Sequence, residues 1–374
     1  MIKSIGLPTM HKEKSEVRAF LPSFAEALSQ YDVDVFIEAD YGQKMGYTPQ
    51  DYVNENSRVT VASHEDVYQK DLVIVLKAPN LDEIDLMKKG AGLMSMLHYE
   101  SRPALREKML EKEIHCFSMD AIADDFNQRL VVSYEQTAWG GISTAIDEME
   151  KRRNDFYAFH RGPYQIAIFG MGNLGLNAGK MCFEYFKDKF EKRNLQEMIS
   201  GVVVSYIGKD SLKNKNDFRS LLTNVDLLID ATKRADFTKC AITNDLIGCL
   251  KDEAVILDLT ADPYDDTSEP LQGKAFEGIP YGTLDKFVFE TDAIEYDLIP
   301  SSVATAFRRV VVSCNAWPGV VPEKSMKIYE EKLAPFVAVL MDRAFFVSEK
   351  SQNPFEKALA KSALSYYLKT EGWQ

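Results

Sequence analysis

The sequence predicts an α/β protein built of two doubly wound domains, with a cleft between them and two long helices linking them. Three observations carry that prediction. Short apolar runs alternate with helix-like stretches along most of the chain, the pattern of parallel strands joined by crossover helices. The turn Gly170-Met171-Gly172-Asn173-Leu174-Gly175 stands between one such run and one such helix. The length of 374 residues also exceeds one comfortable core.

Residues 2–8 read as a strand and lead into a polar loop, 11–16. Beyond Pro22, Phe24, Ala25 and Leu28 recur at helical spacing within 23–31. Strand-like runs follow at 33–38, 59–62 and 71–77, with helical stretches at 48–54 and 81–89. Residues 92–97 form another buried run, ending at His98, and 113–117 a further strand that leads into 120–125 and 129–133. From 137 to about 157 the pattern is one long helix, with Ala138, Ile142, Ala145, Ile146 and Met149 on one face, placed to bridge two domains. The nucleotide unit comes next: strand 165–169, helix 174–193, strand 201–207, helix 217–222, strand 225–231, helix 244–251 and strand 254–259. A last strand, 309–314, precedes a long helix at 325–346 and a terminal helix at 353–373. The division expected is residues 1–135 with 320–374 against residues 136–319.

The glycines of the turn have separate tasks. Gly170 permits the tight turn, Gly172 lets the backbone approach a pyrophosphate, and Gly175 packs the helix close on the strand. The helix N-terminus offers free N–H groups and the positive end of its dipole to the phosphates. Asn173, Leu174, Ala231 and Thr232 are expected beside the same ligand, at this turn and at the end of strand 225–231. The composition agrees with an ordinary globular enzyme, 45% hydrophobic and 27% charged. A net charge of −13 argues against nucleic acid or an anionic membrane as the main partner. The five cysteines lack C-x-x-C spacing and read as buried thiols of a reducing compartment. No run has the length of a membrane span, and the first residues lack the apolar core of a signal peptide, so a cytoplasmic protein is expected.

Ligands of open α/β sheets collect at the carboxyl ends of strands. Lys77 closes the run 72–76 and precedes Ala78-Pro79; it either snorkels to the surface or meets a carboxylate or carbonyl oxygen in a cleft. His98 is either a core histidine satisfied by a neighbour or, with Lys77 one crossover away, a proton carrier. Arg18 is a surface arginine or a carboxylate fork. Asp262 is a turn former or cap, or a group near the nicotinamide end of a cofactor.

In order and spacing, several blocks resemble the alanine dehydrogenase and nicotinamide nucleotide transhydrogenase family, which also looks related to saccharopine dehydrogenase and carboxyethylornithine synthase. The blocks are Glu16-Val-Arg18-Ala-Phe-Leu-Pro22, Glu38-Ala-Asp-Tyr-Gly42 with Gly46-Tyr-Thr, Lys77-Ala-Pro79, Leu97-His98, the glycine turn, Leu257-Asp258-Leu-Thr-Ala-Asp262, and Asn315-Ala-Trp-Pro318-Gly319-Val-Val-Pro322. The resemblance implies two Rossmann-like domains, one for substrate and one for NAD or NADP. It implies that Arg18 and Lys77 hold a 2-oxo acid, that His98 is the acid/base group, that Asp262 handles ammonia or water, and that Asn315 lies near cofactor and substrate. The reaction implied is reversible oxidative deamination of a small amino acid, with a small molecule as the only expected partner, no metal, and self-association left open.

The chain departs from alanine dehydrogenases where they carry a pocket methionine in a Pro-Met-Ser-Glu-like segment. Tyr134-Glu135-Gln136-Thr137 stands there instead, and Glu135 would charge the pocket wall. Their glycine-rich linker is replaced by the charged stretch 147–163. Both departures favour an opine-type reductase, which reduces the imine between an oxo acid and the side-chain amine of lysine or ornithine. A nucleotide-binding subunit without catalysis is the third reading, weakened by Lys77 and His98. Strand 201–207 lacks the acidic end usual for NAD. Its nearest acid is Asp210, while Ser205 and Lys209 suit the 2′-phosphate of NADP.

Overall fold

Residues 1–10, 13–158, 161–192, 201–208, 215–234 and 236–370 are described by a computed structural model. In the first part of the chain, apolar runs become β1 (Ser4–Leu7), β2 (Asp34–Glu38), β3 (Val59–Ala62), β4 (Leu72–Lys77), β5 (Gly92–Met96) and β6 (His115–Ser118). Between them lie α1 (Pro22–Leu28), α2 (Pro49–Glu55), α3 (His64–Tyr68), α4 (Leu81–Leu86) and α5 (Pro103–Glu111). Their starts follow local chemistry. Proline, which needs no helical N–H partner, opens α1, α2 and α5, and capping boxes at Thr48/Asp51 and Asn80/Glu83 satisfy the first N–H groups of α2 and α4.

The next stretch holds α6 (Tyr134–Arg152), β7 (Tyr164–Phe169), α7 (Asn173–Lys192), β8 (Val202–Ile207), α8 (Lys215–Leu222), β9 (Leu227–Asp230), α9 (Asn244–Ile247), β10 (Val255–Asp258), β11 (Val288–Phe289) and β12 (Val310–Ser313). The chain ends in α10 (Pro322–Arg343), α11 (Pro354–Lys361) and α12 (Leu364–Thr370). It divides into two units: Met1–Ser133 with Pro322–Gln374, and Tyr134–Val321. Each long helix lies inside one unit, α6 in the second and α10 in the first.

The first unit's sheet has the order β3-β2-β1-β4-β5-β6 and is parallel throughout. This is a doubly wound, Rossmann-like sheet whose winding reverses between β1 and β4, and the crevice at such a reversal is where ligands settle. Leu72, Val73, Ile74, Val75 and Leu76 are all buried, so β4 runs through the core and releases its next residue, Lys77, at that crevice. The second sheet has the order β11-β12-β10-β9-β7-β8 and reverses between β7 and β9. All its pairs are parallel except β11 with β12.

Some expectations are corrected. The terminal helix is two helices, because the Ser362 carbonyl accepts from Ser118 N–H and Ala363 bridges Phe117, which docks the break on the edge strand β6. The residues beyond 370 that were read into it lie outside the described set. The helix expected to reach 157 ends at Arg152, and that expected over 244–251 ends at Ile247. Helices α3 and α5 and the antiparallel strand β11 were not read at all. Cys116, Cys182 and Cys314 are buried as expected, but Cys240 is exposed and Cys249 half-buried.

Glu330 ties α10 to the start of α1, accepting from Leu21 N–H and, at 2.9 Å, from the Ser23 hydroxyl. Burial pushes its carboxyl from the ordinary 4.5 to about 7, with these hydrogen bonds acting in the opposite direction. The folded chain therefore keeps a proton that the unfolded chain releases. Stability from this group is complete below pH 4.5 and is lost as pH rises through about 7. Glu330→Gln should remove that part of the pH dependence, at most roughly 3 kcal/mol, with urea unfolding at pH 4.5 and 8 as the measurement.

Candidate active site

In the first unit the site grows from the end of β4. Lys77 Nζ lies 2.7 Å from Glu13 Oε1 and 3.1 Å from Glu16 Oε2. Arg18 is buried, and its Nε and Nη2 donate to the two oxygens of Glu16 at 2.8 and 2.7 Å. Arg18 is thus no surface arginine. It is a carboxylate fork, and the carboxylate it grips is the chain's own. Burial alone would raise the Glu16 pKa, but the charge and hydrogen bonds of Arg18, with the charge of Lys77, bring it down to about 2.

His98 follows β5, the neighbour of β4, where Lys77 pairs in register with Met96. Its backbone is left-handed, φ 47°, which turns the chain out of the sheet. Its Nδ1 lies 3.3 Å from Asp120 Oδ2, and its N–H donates to Asp120 Oδ1 at 3.3 Å. Asp120 is held in turn by the Ser118 hydroxyl at 2.6 Å, and that hydroxyl accepts from Leu97 N–H. Burial works against the Asp120 charge, yet His98, Ser118 and then Arg129 hold its carboxyl well below the usual range. The His98 side chain is 44% exposed, so it is not a core histidine although a neighbour satisfies it. With Nδ1 on Asp120, Nε2 is the nitrogen left for a ligand.

Arg129 acts electrostatically on Asp120 and on Tyr329 of α10, on which Arg18 also acts. Its Nε is buried without a hydrogen-bond partner. Reading along the chain missed Glu13, Asp120 and Arg129. Asp120 did carry a signal, being an acid two residues past a strand that ends beside β5. Arg129 carried none, because it sits in an irregular stretch whose neighbours come from elsewhere in the chain.

In the second unit the glycine turn joins β7 to α7. Gly170 has φ 107°, and a Cβ there would lie 2.2 Å from the Ala231 carbonyl oxygen. A Cβ at Gly175 would lie 2.0 Å from the Gly170 carbonyl oxygen, so the helix packs on the turn as closely as expected. At Gly172 a Cβ would meet nothing within 4 Å. The backbone there faces open space beside the first N–H groups of α7, a cradle fit for a pyrophosphate. Asn173 and Leu174 open α7. Ala231 N–H donates to Phe169 at the end of β7, and Thr232 donates to Asp230 through N–H and hydroxyl at 2.9 and 2.7 Å. Ser205 lies within β8 opposite Ala167, two residues before the strand's end rather than at it. Lys209 and Asp210 lie outside the described residues.

The turn after β10 is formed by Asp258, whose Oδ1 accepts from Thr260 N–H and Ala261 N–H at 3.0 and 2.7 Å. Asp262 does not cap a helix; it pairs with Arg234 Nη2 at 2.7 Å. Asn315 follows β12, is exposed, and donates to the Tyr281 hydroxyl at 3.1 Å. Glu135 is exposed in the first turn of α6, inside the second unit. Beneath these loops lies a buried polar group. Lys274 Nζ reaches Asp258 Oδ2 at 2.6 Å, the Ser313 hydroxyl the same oxygen at 2.9 Å, and Thr260 lies between Asp258 and Asp230. Burial opposes the Asp258 charge, but Lys274 outweighs it and holds that carboxyl low. Burial and then the Asp258 charge push Asp230 up.

Among the described residues, no helix is long and apolar enough to cross a membrane. These observations define an α/β protein of two Rossmann-like units, each with polar side chains gathered at the carboxyl ends of its strands. Residues 8–137 match the family model "Alanine dehydrogenase/PNT, N-terminal domain". Alanine dehydrogenase 2 of Staphylococcus aureus is 22% identical over 371 residues, covering 95% of this chain and 92% of that protein. The alpha subunit of the NAD(P) transhydrogenase of Haemophilus influenzae is 28% identical over 183 residues. That match covers 46% of this chain and only 35% of the subunit. A solved L-alanine dehydrogenase superposes with TM-score 0.70 at 21% identity, covering 96% of this chain and 94% of that one. For a transhydrogenase from Sinorhizobium meliloti the values are 0.61, 13%, 91% and 95%. The resemblance of the chain to the alanine dehydrogenase and transhydrogenase family is thus borne out, by the family model over residues 8–137 and by the likeness to alanine dehydrogenases over most of the chain.

Gly172→Val should leave the melting temperature within about 2 °C but weaken NADH and NADPH binding on the order of 100-fold, because the new side chain enters only the open cradle. Gly175→Ala should instead destabilise the fold by roughly 1–3 kcal/mol through its clash with Gly170. Thermal unfolding and fluorescence titration separate the two.

Proposed function

We propose that the chain is an NAD(P)-dependent oxidoreductase acting on a CH–NH bond, reversibly deaminating a small L-amino acid to its 2-oxo acid. The observation that carries this reading is the pair Lys77 and His98 at the ends of the neighbouring strands β4 and β5, Lys77 beside the fixed carboxylate of Glu16 and His98 held by Asp120. The likeness to alanine dehydrogenases over most of the chain supports it. Residues 1–135 with 320–374 would form the substrate domain, and residues 136–319 the dinucleotide domain.

In this reading Lys77 polarises the substrate carbonyl or imine, and a positive charge at that atom favours the electron density that develops on it. His98 carries the proton through Nε2, while Asp120 fixes the tautomer and stabilises the charged ring. Arg18, with Glu16 seated in its fork, shapes the carboxylate end of the site. The turn Gly170 to Gly175, with Ser205, Ala231 and Thr232, holds the dinucleotide, either NAD or NADP. A bound nicotinamide supplies the hydride acceptor or donor for the substrate α-carbon. Asp262 and Asn315 orient ammonia or water and the carboxamide end.

A second reading, an opine-type reductase joining an oxo acid to the side-chain amine of lysine or ornithine, is favoured by two observations. The Arg129 Nε is buried without a partner, as a guanidinium awaiting a second carboxylate would be. Glu135, exposed in the first turn of α6, is an acid in the segment where alanine dehydrogenases carry a pocket methionine, and a basic amine could pair with it.

Following NAD(P)H oxidation with pyruvate plus ammonia, then with dicarboxylic oxo acids plus lysine or ornithine, separates the two readings. Turnover in neither series refutes both. His98→Ala should reduce turnover at least about 100-fold while the dinucleotide Kd stays within about twofold. A large loss of dinucleotide binding would instead make His98 structural.

A further inference from the structure

One member of the ion cluster at the end of β4 has no part in the chemistry proposed above. Glu16 is fixed, since its side chain is 1% exposed and both its oxygens are gripped by Arg18. Glu13 differs. It lies in the connection between β1 and α1, outside any helix or strand, with a side chain 14% exposed, and its Oε1 approaches Lys77 Nζ more closely than Glu16 does. An oxo acid brings an anionic carboxylate and a carbonyl oxygen to the same ammonium. Arg18 is already neutralised by Glu16, so the arriving anion would face two carboxylates across one lysine. Charges of like sign at such spacing repel by about 1 kcal/mol in water and by more in a half-buried site. One carboxylate has to leave, and it is Glu13, more exposed than Glu16 and outside the Arg18 fork.

We propose that Glu13 is an internal competitor for the substrate's seat on Lys77: it holds the ammonium in the free protein and is displaced by the oxo acid, thereby setting the affinity for that substrate. This rests on the reading of Lys77 as the substrate lysine. The apparent dissociation constant of a ligand rises in inverse proportion to the fraction of protein whose lysine is free. Removing the competitor then tightens oxo-acid binding without touching the dinucleotide.

The test compares the full-length wild type with Glu13→Gln and with Glu13→Asp, which keeps the charge but shortens its reach. In steady-state assays with the oxo acid and amine that the wild type accepts, Glu13→Gln should lower the oxo-acid KM roughly tenfold. Glu13→Asp should lower it less, and kcat and the NAD(P)H KM should stay within about twofold. An oxo-acid KM that is unchanged or raised in Glu13→Gln overturns the proposal. A wild type that turns over no oxo acid refutes the function proposed above, and the competitor is then judged by binding alone. Calorimetric titration with oxalate, whose adjoining oxygens resemble the carboxylate and carbonyl of a 2-oxo acid, should give tighter binding to Glu13→Gln. Equal or weaker binding overturns the proposal.

Discussion

A lysine ammonium delivered by a fully buried strand to the reversal point of a parallel sheet has to be balanced by charge, and much of the first unit is arranged around that need. β4 is apolar up to Leu76 and ends in Lys77. The connection between β1 and α1 answers with Glu13 and Glu16, and Arg18 locks Glu16 in place. An ion cluster of this kind is a weak source of stability, because desolvation consumes most of the attraction. Its value is positional, since the fork on Glu16 leaves that carboxylate no freedom. On the neighbouring strand Asp120 does the same for His98, with Ser118 and a backbone N–H behind it. Lys77 and His98 therefore each lie against a carboxylate that is itself fixed, Glu16 and Asp120 respectively.

The second unit solves a different problem with the same device. A dinucleotide needs backbone close at hand and negative charge kept away from its phosphates. Gly170 and Gly175 bring turn, strand and helix into contact, and Gly172 keeps the approach open. The acids of the neighbouring strand ends are turned inward. Asp230 accepts from Thr232, and Asp258 from Thr260, Ala261, Ser313 and Lys274. The buried Asp258–Lys274 pair thus holds the loop that carries Asp262, while Arg234 holds Asp262 itself.

Much of this was legible along the chain, and what was not has a physical reason. Buried parallel strands are continuous apolar runs, so β4, β5 and β7 stood out by composition, and the glycine turn by its spacing. Lys77 and His98 were conspicuous as polar residues closing such runs. Their partners were not, because Glu13, Asp120 and Arg129 sit in turns and irregular stretches where no periodicity marks a side chain as inward. Arg18 was read as open to either of two roles because its nearest carboxylate, only two residues away, cannot be distinguished in sequence from a solvated one. The helices α11 and α12 ran together because the break between them is made by a docking contact with β6, a tertiary event. Lys274 lies in a region without helical or strand periodicity, and only folding reveals it as a buried partner of Asp258.

The central claim is that Lys77 and His98 act on a carbon that exchanges hydride with a nicotinamide while it bears nitrogen. Reduction of an oxo acid with NAD(P)H carrying deuterium at the transferred position, in the presence of the amine substrate, tests it by mass spectrometry of the product. The account predicts one deuterium at the α-carbon of an amino acid or N-substituted amino acid, and its loss in His98→Ala. Deuterium recovered in a 2-hydroxy acid, or retained in the cofactor while the amino product still forms, would contradict it.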